Sequence, residues 1–370
     1  MELAEGLQKY YDITFLHTNQ YAGKVLLTNK AIKNKLKGVN IDYRMKYATL
    51  KLLNRLFSFP LPLEILKLYK KVRKNDVIYS SYSNIKETLM FLFFSLLHRK
   101  GKFIFGYRKP LRINKTSLYN LKYTFSILIL SLFKKRIYHH ALSKNAKHYL
   151  DRFLKKENVY YITHGIDLNS FIEKKEKKNF QTLKFMYIGY FDGVHKGFDV
   201  LLKGIKLFLE KNENLKVSFE FCGMGPLEHD LLALEKRFPR IIKNYGYISN
   251  ELISDYYKKG DVFLFSSRIE PFPRTIMEAL GAKMVIISSK TIGSIELLKG
   301  KEFAYFLKEL TPEEISNAIF RVYKLWSSNV EKFYKLQNAA KSFVFSSYST
   351  EIEIEMFKDM IEKIMTINKL

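Results

Sequence analysis

The sequence predicts an α/β protein built from two Rossmann-like, doubly wound domains. Three observations carry this. The chain has 370 residues, more than one hydrophobic core normally serves, and 47% of them are apolar. From residue 183 onward, short and nearly continuous apolar runs alternate with segments of helical period. The first half repeats that alternation less cleanly, and a charged, poorly patterned connector, "FIEKKEKKNFQ" (171–181), separates the halves. The expected division is 1–175, 176–345 and a C-terminal helix within 346–370 that packs back toward the first domain.

In the first domain, strands are expected in "YDITFLH", "NDVIYSSY", "GKFIFGY", "KRIYHHALS" and "NVYYITHGID", with helices between. Two apolar runs, "TLMFLFFSLL" (88–97) and "TFSILILSLF" (124–133), are about half the roughly 20 residues a spanning helix needs. They are expected to be buried helices, with a membrane-contacting surface as the alternative reading; neither spans. The start, "MELAEGLQKYY", lacks a basic stretch followed by an apolar one, so no signal peptide is read.

In the second domain, strands are expected at "LKFMYIG", "KVSFEFCG", "IIKNYGYI", "DVFLFSS" and "AKMVIISS". Between them, "FDVLLKGIKLFLEK", "PLEHDLLALEKRF", "NELISDYYKKG" and "RTIMEALG" have helical spacing, the last two ending on Gly260 and Gly281. "TPEEISNAIFRVYKLW" follows as a helix whose Thr311 and Glu314 fit a capping box. Strands apolar on both faces imply a parallel sheet covered on both sides. Ligands of such sheets bind beyond the carboxyl ends of the strands, which makes the cleft between the two domains the expected site. A last helix is expected near 350–366.

Composition narrows the chemistry. One cysteine, Cys222, excludes an intrachain disulfide framework and a cysteine-based zinc site. His139, His140, His164 and His195 lack metal-ligand spacing and read as structural or solvated. The net charge is +27, and it is uneven: residues 1–170 hold 32 Lys and Arg against 10 Asp and Glu. A positive first half points to a polyanion, whether nucleic acid, an anionic bilayer or a phosphorylated substrate.

The stretch "RIEPFPRTIMEAL" (268–280) is the most informative. Pro273 suits the entry to a helix expected to start around Thr275. The N–H groups of a first turn, together with Arg274, make a phosphate site. Glu270 stands at a strand's carboxyl end, within reach of a sugar hydroxyl, and Glu278 one turn inside, where it can accept from a ribose diol. Thr275 and Glu278 equally fit a plain capping box, and the stretch alone leaves both readings open. Two glycine-bearing turns in register, "YIGYFDGVHKGFDVLL" with Lys196-Gly197 and "CGMGPL" with Gly223 and Gly225, favour a ligand pocket.

The order "YIG…KGFDVLL", "FCGMGPL", "GYISNELISDYYKKGDVFLFSS", "EPFPRTIMEAL" and "IGSIELL" resembles the second domain of GT-B glycosyltransferases of family 4 (glycosyl transferases group 1). "HALSKNAKHYL" and "YYITHGIDLNSF" resemble that family's approach to its interdomain linker. The resemblance implies a nucleotide-diphosphate sugar donor and transfer of a hexose with retention, without a metal or other cofactor. It implies catalytic roles for Glu270 and Lys196. It implies donor contacts from Gly189, Lys196, Gly223, Gly225, Phe272, Arg274, Thr275, Ile276 and Glu278, and acceptor-side positions at Tyr107 and Arg108. No Asp-x-Asp occurs in the chain, which sets it apart from metal-chelating sugar transferases of the other major fold. Tyr190 stands where the family commonly has arginine, Pro271 and Pro273 where it often has glycine, and Met284 at a usual proline. The N-terminus resembles the family's first helix and second strand, so the first domain is expected to lack the usual first strand. Expected partners are the donor and an anionic or lipid-linked acceptor, in the cytoplasm or peripheral on the inner membrane face. The alternative is a catalytically weakened scaffold that binds nucleic acid or membrane through its basic first domain.

Overall fold

A computed structural model describes residues 2–11, 14–17, 20–21, 24–25, 40–44, 47–52, 55–60, 62–81, 85–107, 118–133, 137–171, 181–212 and 214–366. The chain divides into two compact units. The first comprises Met1–Ala141, Ala146–Ile162 and Thr350–Leu370; the second comprises Leu142–Asn145 and Thr163–Ser349.

The first unit contains β1 (Thr14–His17), β2 (Gln20–Tyr21), β3 (Lys24–Val25), β4 (Asn40–Arg44), β5 (Tyr47–Leu52), β6 (Arg55–Pro60), β7 (Val77–Ser81), β8 (Lys102–Tyr107), β9 (Ile137–Ala141) and β10 (Val159–Tyr161). Its main sheet is parallel, in the order β10-β9-β8-β7. The expected strand in "YDITFLH" is β1, paired in parallel with β4 outside that sheet. Side chains alternate along β8, so Phe103, Phe105 and Tyr107 enter one core and Ile104 another. The first core lies under the helices Ile85–Leu97 and Lys144–Leu150, with Leu118–Ser131 between them in sequence. The second is closed by Leu7 from the helix Glu2–Leu7 and by Phe357, Met360 and Ile364 from Thr350–Thr366.

The two apolar runs are helices, but each is buried on one side only. Phe91 packs edge-on against Phe103 with centroids 5.1 Å apart, and Ile127 and Leu130 are fully buried. On the other side Phe93 is 50% exposed and Phe125 55%. A helix lying on a sheet has one inner stripe to bury, and these helices carry apolar residues beyond that stripe.

His139 and His140 are structural. His139 is buried, accepts from the Tyr107 hydroxyl at 3.1 Å, and burial pushes its pKa down to about 3. His140 donates through Nε2 to the Ile162 carbonyl at 2.8 Å and accepts from Tyr79 at Nδ1. Tyr107, expected on the acceptor side, is 1% exposed and faces the core on β8, so its side chain is part of the packing. Arg108 lies outside the described residues.

The second unit contains β11 (Leu183–Ile188), β12 (Val217–Cys222), β13 (Ile242–Asn244), β14 (Val262–Phe265), β15 (Val285–Ser288) and β16 (Ala304–Phe306). All six are parallel, in the order β13-β12-β11-β14-β15-β16. Every residue of β14 and β15 is buried, as the continuous apolar runs predict. Phe185 on β11 stacks on Phe219 of β12 at 5.0 Å. The order reverses direction between β11 and β14, which makes that junction the topological switch point.

Several boundaries differ from expectation. The helix after "EPFP" runs Arg274–Gly281, with Pro273 at its N-cap, so Thr275 lies inside the first turn. Thr311 caps Pro312–Ser328 by accepting from the Glu314 amide, but Glu314 turns to Arg321 instead of closing a box. The reciprocal capping box is at Thr291 and Ser294, opening the helix Ile292–Leu298. The helix Val330–Ser347 has a weak sequence signal because Ser, Asn, Gln and Lys dilute its stripe. Its buried positions, Phe333, Leu336, Gln337, Ala340 and Val344, nevertheless keep helical spacing.

Phe185→Ala should remove about 3–5 kcal/mol from the second unit, the usual cost of hollowing a packed aromatic site. Chemical denaturation followed by the fluorescence of Trp326, the chain's one tryptophan, reads that unit directly.

Candidate active site at the switch point

Two loops meet at the carboxyl ends of β11 and β14. After β11, Asp192 caps a single helical turn, Gly193–Lys196, by accepting from the amides of Val194 at 2.8 Å and His195 at 3.0 Å. Gly197 then turns left-handed at φ 60° and starts the helix Phe198–Lys211. A Cβ there would stand 2.2 Å from the Ser266 carbonyl oxygen of the loop after β14. Glycine is therefore required twice, by its dihedral and by the contact.

That close approach is laced with hydrogen bonds. Ser266 Oγ donates to the Lys196 carbonyl at 2.8 Å, and the Arg268 amide donates to His195 O at 2.8 Å. The Arg268 guanidinium donates to Gly193 O and forks onto both Asp199 carboxylate oxygens at 2.8 and 3.1 Å. The next loop is held from below, where the Gly293 amide donates to Glu270 O at 3.0 Å.

On this scaffold lie two cation–carboxylate pairs. Lys196 Nζ donates to Glu270 Oε2 at 2.8 Å, both side chains part-exposed. Arg274 Nε donates to Glu278 Oε1 at 3.0 Å, one helical turn away. The other oxygen of Glu278 accepts from the fully buried Tyr257 hydroxyl at 2.9 Å. Burial, reinforced by the Glu278 charge, raises the Tyr257 phenol well above its ordinary value, so it stays a donor. Glu278 thus makes no capping box: Thr275 is not at the cap, and both carboxylate oxygens are directed elsewhere. The four residues singled out at 196, 270, 274 and 278 fall into these two pairs, and the pairs share the segment that follows β14.

The glycine turns serve the edge beside this junction. The Gly223 amide donates to Gly246 O at 2.8 Å, and the Gly189 amide to Cys222 O at 3.0 Å. A Cβ on Gly223 would lie 1.9 Å from Gly189 O, so the turns after β11 and β12 touch backbone to backbone. Gly225 is also close-packed, since a Cβ there would lie 2.6 Å from the Phe191 carbonyl oxygen.

Two expected donor contacts are modified. Phe272 is 3% exposed and packs against Tyr348, so its side chain belongs to the core. The Ile276 amide already donates to Pro273 O at 3.1 Å, which leaves Thr275 as the better amide of the expected two. Sequence reasoning missed Asp192, Arg268 and Tyr257. Asp192 could have been found, since an aspartate just before a short helical turn is a cap signal. The partners of Arg268 and Tyr257 are distant in sequence. Among the described residues, no group of three or more His, Cys, Asp or Glu could hold a metal ion.

Asp192 supplies a pH-dependent contribution. Burial would raise its carboxyl, but hydrogen bonds from the Val194 and His195 amides and the His195 ring outweigh that and hold it below the ordinary value. A lowered folded pKa means stability that is present above the unfolded value, about 4, and lost as pH falls through the folded one. Asp192→Ala should cost roughly 1 kcal/mol at neutral pH. The gap to wild type should narrow below about pH 4; melting temperatures of both proteins across pH 3–7 check this.

Residues 169–343 match the family model for glycosyl transferases group 1. The chain is 25% identical over 280 residues to the capsular polysaccharide biosynthesis glycosyltransferase CapH of Staphylococcus aureus, covering 74% of this chain and 73% of that protein. It is 22% identical over 190 residues to mannosylfructose-phosphate synthase of Agrobacterium fabrum, covering 47% of this chain and 42% of that one. Among solved structures, Anabaena Alr3699/HepE in complex with UDP superposes with a TM-score of 0.74 at 14% identity, over 98% of this chain and 95% of that one. A glycosyltransferase from Rickettsia africae gives the same TM-score and identity over 99% and 94%. At that identity the structures speak to the fold, and the fold is GT-B. The chain is a glycosyltransferase of GT-B fold whose segment 169–343 matches glycosyl transferases group 1, and every donor-side residue considered above lies within that segment.

Proposed function

We propose that the protein transfers a hexose from a nucleotide-diphosphate sugar to a glycan or lipid-linked acceptor, with retention of anomeric configuration and without a metal ion. The observation that carries this is the double pairing at the switch point, Lys196 with Glu270 and Arg274 with Glu278. Before donor binds, the site is charge-balanced. A diphosphate competes for the two cations, and the released carboxylates accept from sugar and ribose hydroxyls. The donor thus exchanges partners with groups already aligned, so little reorganisation is left for the chemical step.

In the reaction the bond from the anomeric carbon to the diphosphate oxygen breaks, and the acceptor oxygen bonds to that carbon. The acceptor proton passes to the departing phosphate. Lys196, Arg274 and the Thr275 amide at the positive end of its helix hold the charge that develops on the leaving group. Glu270 holds the donor sugar and steadies the positive charge on its ring, and Glu278, fixed by Tyr257, takes the ribose. Cation side chains here do the work that a divalent ion does elsewhere. Retention follows from the family resemblance. The basic first half suits an anionic or lipid-linked acceptor and a cytoplasmic enzyme peripheral on the membrane.

HepE has been solved with UDP and with UDP-glucose, so uridine donors head the screen. Thermal unfolding with UDP-, GDP-, ADP-, CMP- and dTDP-sugars, with and without EDTA, should show stabilisation by one donor class that EDTA leaves intact. No shift with any donor would remove the reading. With the donor known, Lys196→Ala should lower kcat on the order of 10²-fold or more, as loss of one charge-stabilising donor does. Its folding stability should move by less than about 1 kcal/mol, because the pair is part-exposed. Glu278→Ala should abolish the donor shift. Turnover left intact by both Lys196→Ala and Glu270→Ala would place the chemistry elsewhere.

A further inference from the structure

We propose that the outer face of the helices Ile85–Leu97 and Leu118–Ser131 is a docking surface for an anionic lipid bilayer. This gives the proposed membrane contact a location, and it rests on the first unit alone. The strands β7, β8 and β9 are adjacent and parallel, and right-handed crossovers between them put both helices on the same side of the sheet. Each helix spends one stripe on that sheet. The opposite stripes, Leu89, Phe93 and Leu97 on one helix and Phe125, Leu128 and Leu132 at the other, are between 47% and 79% exposed. Their spacings of four residues, and of three and four, keep each stripe in line. Six half-exposed Leu and Phe on neighbouring helices are more than an ordinary soluble surface carries.

These helices do not cross a membrane. With 13 and 14 residues they are about 20 Å long, against the roughly 30 Å of a bilayer core. Among the described residues, no helix is long and apolar enough to span. A short apolar face with basic margins instead lies in the interface between headgroups and acyl chains.

Charge selects the occupant. Arg99 and Lys100 are exposed just beyond the end of the first helix. The neighbouring helix Pro62–Val72, joined through Tyr69 and Phe94 at 5.8 Å, leads to exposed Lys70, Arg73 and Lys74. Across residues 62–150 there are 19 Lys and Arg and 3 Asp and Glu. Nucleic acid would use the cations and leave the Leu and Phe stripes in water. A second copy of the chain would set like charge against like. An anionic lipid surface satisfies both the charge and the apolar stripe.

The test uses the full chain and sedimentation with vesicles of phosphatidylcholine, with and without phosphatidylglycerol. Wild type should sediment with the phosphatidylglycerol vesicles, weakly with phosphatidylcholine alone, and less as salt rises. Phe93→Glu with Phe125→Glu, and separately Arg99→Glu with Lys100→Glu, should each weaken binding about tenfold or more. Unchanged far-UV circular dichroism and an unchanged donor thermal shift identify folded variants, and the salt series on wild type needs no variant. The proposal is overturned if wild type ignores both vesicles or if both variant pairs bind as well as wild type. It is also overturned if wild type is a dimer that Phe93→Glu with Phe125→Glu dissociates. Vesicle binding needs no turnover, so this result and that of the donor screen stand apart.

Discussion

The geometry of the second unit depends on one close approach, the backbone of Gly197 against the carbonyl of Ser266. Parallel strands sit about 4.8 Å apart, but the loops that leave them diverge unless something draws them together. At the junction of β11 and β14 the missing Cβ allows contact, and the bonds from Ser266 and Arg268 hold it. The turn that carries Lys196 is thereby set beside the loop that carries Glu270. Without the contact, a lysine and a glutamate 74 positions apart would share a site only by chance.

The two ion pairs are modest contributors to stability, because part-exposed pairs gain little over their hydration. Their value is positional. Each holds a flexible cation at a defined place, and each carboxylate has a second restraint or a rigid loop behind it. Tyr257 illustrates the division: its ring is in the core, and its hydroxyl projects to Glu278. Core packing therefore sets the orientation of a group at the site.

The units distribute charge and apolar surface differently. The first is strongly basic, and its helices are apolar on faces the sheet cannot use. The second buries its apolar residues on both sides of six strands. The proposed donor chemistry and the proposed surface attachment therefore draw on different parts of the chain. A change in one can leave the other intact.

Much of the second unit was legible because its signals are local. Short, β-branched and aromatic apolar runs such as "DVFLFSS" and "KMVIISS" read as buried strands, and glycines after strands mark turns whatever the distant partners. The candidate residues 196, 270, 274 and 278 were legible by residue type and by order along the chain. Their pairing was not, nor was the role of Arg268, because those contacts join segments distant in sequence. Phe272 and Tyr107 were misplaced for the same reason: an aromatic beside a site motif reads alike whether it faces ligand or core, and burial is decided by what packs on it. The sequence by itself determined the strand–helix alternation, the parallel sheet and the chemistry available. The tertiary structure decided which cation meets which carboxylate and which apolar stripe stays exposed, because both depend on neighbours that only folding brings together.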